Sequence, residues 1–238
     1  MSTSDQTTPR GARLPRSQRR AQLLDAAQAV FVARGYHAAA MDEIADRAGV
    51  SKPVLYQHFP GKLDLYLALL DQHCQTLERL VIEAISATHD NKERVHATIA
   101  AYFEFVARED GAFRMVFESD LTGVSAVRQR LDEVEAVCAE AIADVISEET
   151  GADAERALML GTALAGLAQV TARHWLAQDG PFPQAEAAEL TSTLVWRGLG
   201  AFPTVGGEEP AEGSAPAASA APSAAESAAA EGSAAPRR

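Results

Sequence analysis

MDEIADRAGVSKPVLYQHFPGK, residues 41–62, decides the fold of this chain. It reads as two short helices joined by a tight turn. Ile44, Ala45 and Ala48 fall on one apolar face at i, i+1 and i+4 spacing. Gly49 can take the left-handed conformation that ends a helix, and Val50 plugs the turn. Ser51 is expected to cap the second helix, its hydroxyl accepting from the N–H of Val54. Pro53 is tolerated because first-turn N–H groups have no helical partner. Leu55 and Phe59, four apart, turn inward and leave Lys52, Val54, Tyr56, Gln57 and His58 outward. Pro60-Gly61 stops the helix and Lys62 opens the next. The unit is a helix-turn-helix whose second helix suits the major groove of DNA. A plain αα-hairpin would share the helix–Gly–helix pattern.

The charge distribution supports the DNA reading. The 238 residues carry a net −12, which taken alone argues against nucleic acid. Residues 1–62, however, hold nine Lys/Arg against five acids, a net +4 that leaves −16 on the remainder. A basic head on an acidic body favours one orientation on the duplex. Arg10, Arg13 and Arg16 recur every three residues around Pro9 and Pro15. They predict an extended arm able to lie in a minor groove, or a merely solvated one. Arg19 and Arg20 begin the first helix and are expected near phosphates.

The rest of the chain has helical period and no credible strand, so the fold class is all-α with about nine helices. The long ones are expected over 62–89, 92–109, 124–150, 153–178 and 184–200. The expected organisation is a disordered basic arm over 1–16 and the DNA-binding domain over 17–64. A helical ligand-binding and dimerisation domain follows over 65–203, then an Ala/Ser/Pro/Glu-rich tail over 204–238. The tail lacks the apolar residues that would offset its ordering entropy. There is no apolar run of 18 residues and no hydrophobic leader, so neither a membrane span nor secretion is expected. Cys74 and Cys138 fit reduced thiols better than a disulfide framework. The expected location is cytoplasmic, at the nucleoid.

The string Ala48-Gly49-Val50-Ser51, Leu55-Tyr56, His58-Phe59 and Lys62 resembles the N-terminal domain of the TetR family of transcriptional regulators. The likeness covers residues 17–65. RLPRSQRR (13–20), the stretch 35–59 and FRMVFE (113–118) look like a subgroup of that family, the actinobacterial regulators of fatty-acid synthesis that sense long-chain acyl-CoA. The resemblance implies base reading by Lys52, Pro53, Val54 and Gln57, with guanine, thymine methyl and adenine as their respective fits. It implies phosphate contacts by Ser51, Tyr56, His58 and Lys62, which position the helix without reading sequence. Packing or capping is the plain alternative for Tyr56 and His58. Ala40 departs from the family's usual hydroxyl, so a cap and a phosphate contact are lost there. Asp42 can accept from cytosine N4 or stabilise its helix N-terminus, and Arg47 is a phosphate contact or a solvated charge.

A homodimer on a palindromic duplex is implied, with heads about 34–36 Å apart or a multiple. Met159, Ala163, Gly166, Leu167 and Val170, with Leu190, Leu194, Val195 and Leu199, are its candidate interface; an internal core stripe would look the same. The candidate ligand pocket is Tyr102, Phe103, Val106, Phe113, Phe117, Val134, Cys138, Leu164 and Trp175, with Phe105, Val116 and Val170 nearby. Apolar walls with few polar anchors suit a hydrophobic effector, and the subgroup resemblance sharpens this to long-chain acyl-CoA, with activation of a fatty-acid synthesis operon. A coenzyme A head would need a cation from Arg108, Arg114, Arg128 or Arg130; all four also suit surface ion pairs.

Other classes fit worse. Gly123-Val124-Ser125-Ala126-Val127 lacks the second glycine of a nucleophile elbow, and no glycine loop for phosphate occurs. His73 and Cys74, adjacent on a helix, point about 100° apart and lack ligand geometry. No enzyme, cofactor or metal is expected. The alternatives are a repressor answering another hydrophobic molecule, and a thiol- or metal-responsive regulator.

Overall fold

The computed structural model describes residues 14–108, 111–117 and 121–198. Arg10, Arg13, Leu199 and the tail over 204–238 lie outside the described residues. Among those described there are nine helices and no strand: α1 Arg16–Ala38, α2 Met41–Arg47, α3 Lys52–His58, α4 Lys62–Ser86, α5 Asn91–Val106, α6 Ala112–Phe117, α7 Ser125–Thr150, α8 Ala154–Ala177 and α9 Gln184–Arg197. No described helix is long and apolar enough to cross a membrane.

The boundaries follow local chemistry. Asp90 and Asp153 cap α5 and α8 by accepting from the N–H groups of Glu93 and Arg156, each at 2.9 Å. Gly151, at φ 70°, closes α7. One expectation is corrected: Arg16 is not extended arm but the first residue of α1. Gly35, at φ 72° and ψ 166°, breaks the helical geometry of α1, which resumes beyond this kink to Ala38.

Leu23, Ala27 and Val30 of α1, Ile44 and Ala45 of α2, Leu55 of α3 and Leu65 of α4 are buried together with Phe59. α4 leaves this head and continues without a break into the body, packing on α5, α6 and α7. It therefore crosses the expected boundary at residue 64 as one rigid rod. Phe31, Tyr36 and Tyr66 form a ring cluster at the junction, with centroids 5.2 to 6.0 Å apart. Gly111 provides a second link between head and body. A Cβ there would meet Val32 Cγ2 of α1 at 2.8 Å, and its φ is 73°.

The body is built on the α7–α8 pair, with α5 set against α4, α8 and α9. The α7–α8 crossing is close at Gly161, where an added Cβ would stand 2.3 Å from the Ala139 carbonyl oxygen. Ala139, Ala143, Ala157 and Ala165 line the seam as buried small residues.

Candidate DNA interface and effector cavities

The turn of the helix-turn-helix is held by backbone. Gly49 sits at φ 63°, its N–H donates to Asp46 O at 3.0 Å, and Val50 N–H reaches back to Ala45 O at 3.0 Å. These are the reverse bonds of a Schellman closure. Gln22 of α1 adds a tie, donating through Nε2 to Ala48 O at 2.8 Å, while Arg19 Nη1 donates to Gln22 Oε1 at 2.7 Å. The expected Ser51 cap is corrected: its side chain bonds no helix N–H, and Val54 N–H donates to the Ser51 backbone carbonyl at 3.0 Å. The Ser51 hydroxyl is thus exposed on the outer surface.

Lys52, Pro53, Tyr56 and Gln57 are exposed, and Val54 and His58 half-buried. With Leu55 at 0% and Phe59 at 2% exposure, the inward and outward faces divide as the spacing requires. The outward face borders a basin of about 660 Å³ lined by Leu14, Arg16 and Arg19 on one side and Gly49, Val50, Ser51, Val54, Gln57 and His58 on the other. Burial and then the charges of Arg16, Arg20 and Arg19 pull the His58 imidazole below its usual pKa of 6.5. Arg20 lies over the Phe59 ring at 4.4 Å, which fixes its stem against the head.

Lys62 takes a different place from the one its sequence position suggested. Its Nζ donates to the carbonyls of Tyr36, His37 and Ala39 at 2.8, 3.1 and 3.0 Å and lies 4.5 Å from the Tyr36 ring centroid. An ammonium has three protons, and all three point at the kinked end of α1. The phosphate contact expected of Lys62 is replaced by a latch between α1 and α4. Asp42 pairs with Lys52, Nζ to Oδ2 at 2.5 Å, a contact that spacing along the chain gave no means to foresee. Arg34 pairs with Glu43 at 3.3 Å, and Arg47 is exposed.

In the body, the expected pocket residues divide among three places. Tyr102, Phe117, Val134 and Cys138 line a narrow cavity of about 80 Å³, together with Leu77, Leu131 and Gly166. Leu164 instead lines a wider cavity of about 270 Å³. Its walls are Ile85, Val95, Thr98, Ile99, Ile142, Val145 and Ile146, with Asn91, Arg94, Glu149, Thr150 and Trp196 also lining it. Phe103 and Trp175 pack edge to face at 5.9 Å, Val106 is buried core, and Phe113 packs against the core with Arg114 beside its ring. None of these four lines either cavity, because their rings and methyls fill helix seams.

The wider cavity went unnoticed in the sequence because its lining comes from the ends of α4, α5, α7 and α9 and from Leu164 of α8, far apart along the chain. Beside it, Arg94 Nη1 meets Glu149 Oε1 at 3.0 Å and Arg94 Nε donates to Thr88 O at 2.8 Å. Asn91 and then Arg94 hold the Glu149 carboxyl below its usual range.

Two of the four candidate cations are engaged by protein groups in the body. Arg130 of α7 bridges Asp71 and Glu78 of α4 at 2.9 and 3.0 Å, and Arg128 donates to Thr122 O. Burial pushes the Cys74 thiol up to about 12 and the Cys138 thiol up to about 11. Thiols so buried and so rarely ionised are poor nucleophiles, which weighs against a thiol sensor. Among the described residues, no group of three or more His, Cys, Asp or Glu side chains has metal-binding geometry. On the candidate dimer face, Met159, Ala163, Val170 and Leu190 are exposed, whereas Val195 packs against the core and Gly166 lines the narrow cavity.

Residues 23–69, which span this head, match the profile of the bacterial regulatory proteins of the tetR family. Over 194 residues the chain is 46% identical to the HTH-type transcriptional activator FasR of Mycolicibacterium smegmatis, covering 82% of this chain and 89% of that one. The chain belongs to the TetR family. It is a DNA-binding transcriptional regulator of that family. It is also 30% identical over 115 residues to the fatty acid metabolism regulator protein of Bacillus subtilis, covering 48% of this chain and 58% of that relative. The fold is shared with the crystal structure of the transcriptional regulator FadR from Bacillus subtilis in complex with stearoyl-CoA. That TM-score is 0.64 at 21% identity, over 75% of this chain and 98% of that one.

Proposed function

We propose that this protein is a homodimeric, cytoplasmic activator of a fatty-acid synthesis operon that long-chain acyl-CoA releases from DNA. The observation that carries the reading is the pairing of an exposed reading helix with a body hollowed by apolar cavities, joined through α4. The likeness to the activator FasR over most of both chains supports activation, the likeness to the fatty acid metabolism regulator of Bacillus subtilis supports the fatty-acid role, and the stearoyl-CoA bound by the Bacillus FadR supports the ligand class. In this reading Lys52, Pro53, Val54 and Gln57 meet base edges. Ser51, Tyr56, His58, Arg16 and Arg19 meet phosphates, and the head is organised as a domain over residues 17–64. Two heads read a palindromic duplex, the exposed stripe Met159, Ala163, Val170 and Leu190 supporting the dimer contact.

The acyl chain runs along α7, from the narrow cavity at Val134 and Cys138 toward the wider one at Ile142 and Val145. Its burial shifts the protein between two settings of α4 only by binding one more tightly than the other. The test is a mobility shift on the promoter of a fatty-acid synthase operon, titrated with stearoyl-CoA and with free CoA. Retarded DNA released by stearoyl-CoA alone supports the reading. Binding that ignores stearoyl-CoA removes the acyl-CoA effector and leaves the regulator. Absence of binding removes the operon.

A further inference from the structure

Lys52 is the only Lys or Arg between Ser51 and Phe59, so it is the one permanent cation of the reading helix. Its ammonium meets the Asp42 carboxylate of α2 at 2.5 Å, across ten residues of chain. Both side chains are more than half exposed, at 59% and 57%. An exposed pair of this kind contributes little to stability, so its consequence lies in what the charge can reach. The hydrogen bond to Asp42, with the charges of Asp42 and then Asp46 behind it, also makes Lys52 hold its proton more tightly. The basin beside it is built differently: Arg16 and Arg19 line it with no acid among the lining residues. Glu43, the other acid of the first turn of α2, is engaged by Arg34. An acid thus stands against the cation of α3, and none lines the basin with Arg16 and Arg19.

An ammonium carries three donors, so Lys52 can keep Asp42 while donating to a second acceptor. A neutral base edge tolerates the adjacent carboxylate; a phosphate is repelled by it. We propose that Asp42 is a specificity-determining residue, which reserves Lys52 for a neutral base edge with two acceptors, such as guanine O6 and N7, and withholds it from the phosphates of arbitrary DNA. Discrimination then arises by weakening the wrong complex rather than by strengthening the right one.

The inference rests on DNA binding and is independent of any acyl ligand. Its test uses the full-length protein, a duplex selected from a randomised pool, and an unrelated duplex of equal length. Affinities of wild type, Asp42→Asn, Lys52→Ala and the double variant are measured across a salt series. Asp42→Asn is expected to bind the unrelated duplex about tenfold more tightly, with a salt slope steeper by about 0.9 per bound head. Its affinity for the selected duplex should change less than about threefold, so discrimination narrows; beside Lys52→Ala the same change should leave discrimination unaltered. An equal gain on both duplexes would reduce Asp42 to bulk charge and overturn the proposal. A loss confined to the selected duplex, or a loss of discrimination that persists without Lys52, would mean that Asp42 reads DNA itself and would also overturn it. If wild type selects no duplex, DNA binding by this chain fails first, and the proposal with it.

Discussion

The basin beside the reading helix and the wide cavity of the body contrast in construction. The basin is open and lined by Arg16, Arg19, Ser51, Gln57 and His58. The cavity is walled mainly by Val, Ile and Leu from four helices, with polar groups confined to a few lining residues. A surface that meets a polyanion must leave its donors unspent, whereas a site for an alkyl chain must have none to satisfy. The exceptions follow the same rule. Lys62 of the head and Arg130 of the body are cations held by protein groups, the one by three carbonyls and the other by two carboxylates, and both join α4 to a neighbour. They brace the helix that runs from the head into the body.

The sharpest way to break this contrast is to fill the cavity and leave the basin alone. Val145→Trp places an indole in the wider cavity; stearoyl-CoA should then release DNA at least about a hundredfold less effectively, with effector-free DNA affinity unchanged in an anisotropy titration. A matching loss of DNA affinity would show that the regions are not separable. Leu55→Ala strikes the opposite region. Deleting a fully buried side chain under the reading helix should cost about 2–5 kcal/mol of stability, visible as a lower Tm and lost DNA binding. Gly161→Ala probes the frame of the body. The close approach to Ala139 leaves no room for a methyl, so about 1–3 kcal/mol should be lost to overpacking, with effector response affected before DNA binding.

How far these regions were legible in the sequence follows from their geometry. The head could be read because its determinants are local: Gly49 at the turn, Leu55 and Phe59 four apart, Pro60-Gly61 as a stop. Spacing alone then fixes which side chains face out. Lys62 was misplaced for the same reason, since a motif position says nothing about carbonyls more than 20 residues away. The pocket was read as a list of aromatic residues, but Phe103 and Trp175 satisfy each other in a seam. The open volume lies instead where helix ends meet, at Ile85, Val95 and Ile146. Of the candidates, Tyr102, Val116, Phe117, Val134, Cys138 and Leu164 were brought to a cavity, and to two different ones. The exposed Asp42–Lys52 pair was invisible because no periodicity relates residues on separate helices.

A smaller effect should appear with pH. The folded state holds His58 below the pKa near 6.5 of the unfolded chain, so it binds this proton less readily. Its contribution to stability is present above pH 6.5 and is lost as pH falls below that value through the lower pKa of the folded state. Phosphates favour the charged imidazole, so DNA affinity should rise modestly, by a few fold, between pH 8 and pH 6. His58→Gln should flatten that rise; an equally steep profile in the variant would place the titrating group elsewhere.

If long-chain acyl-CoA releases this regulator from DNA, occupancy of the body and occupancy of the head are energetically coupled, and coupling between two bound ligands must be reciprocal. The most direct measurement is therefore the affinity for stearoyl-CoA with and without saturating operator duplex, set against the affinity for that duplex with and without saturating stearoyl-CoA. Each ligand should weaken the other by one common factor, on the order of 5–150-fold, and Val145→Trp should bring that factor to one. Tight binding of both ligands with neither affecting the other would contradict it.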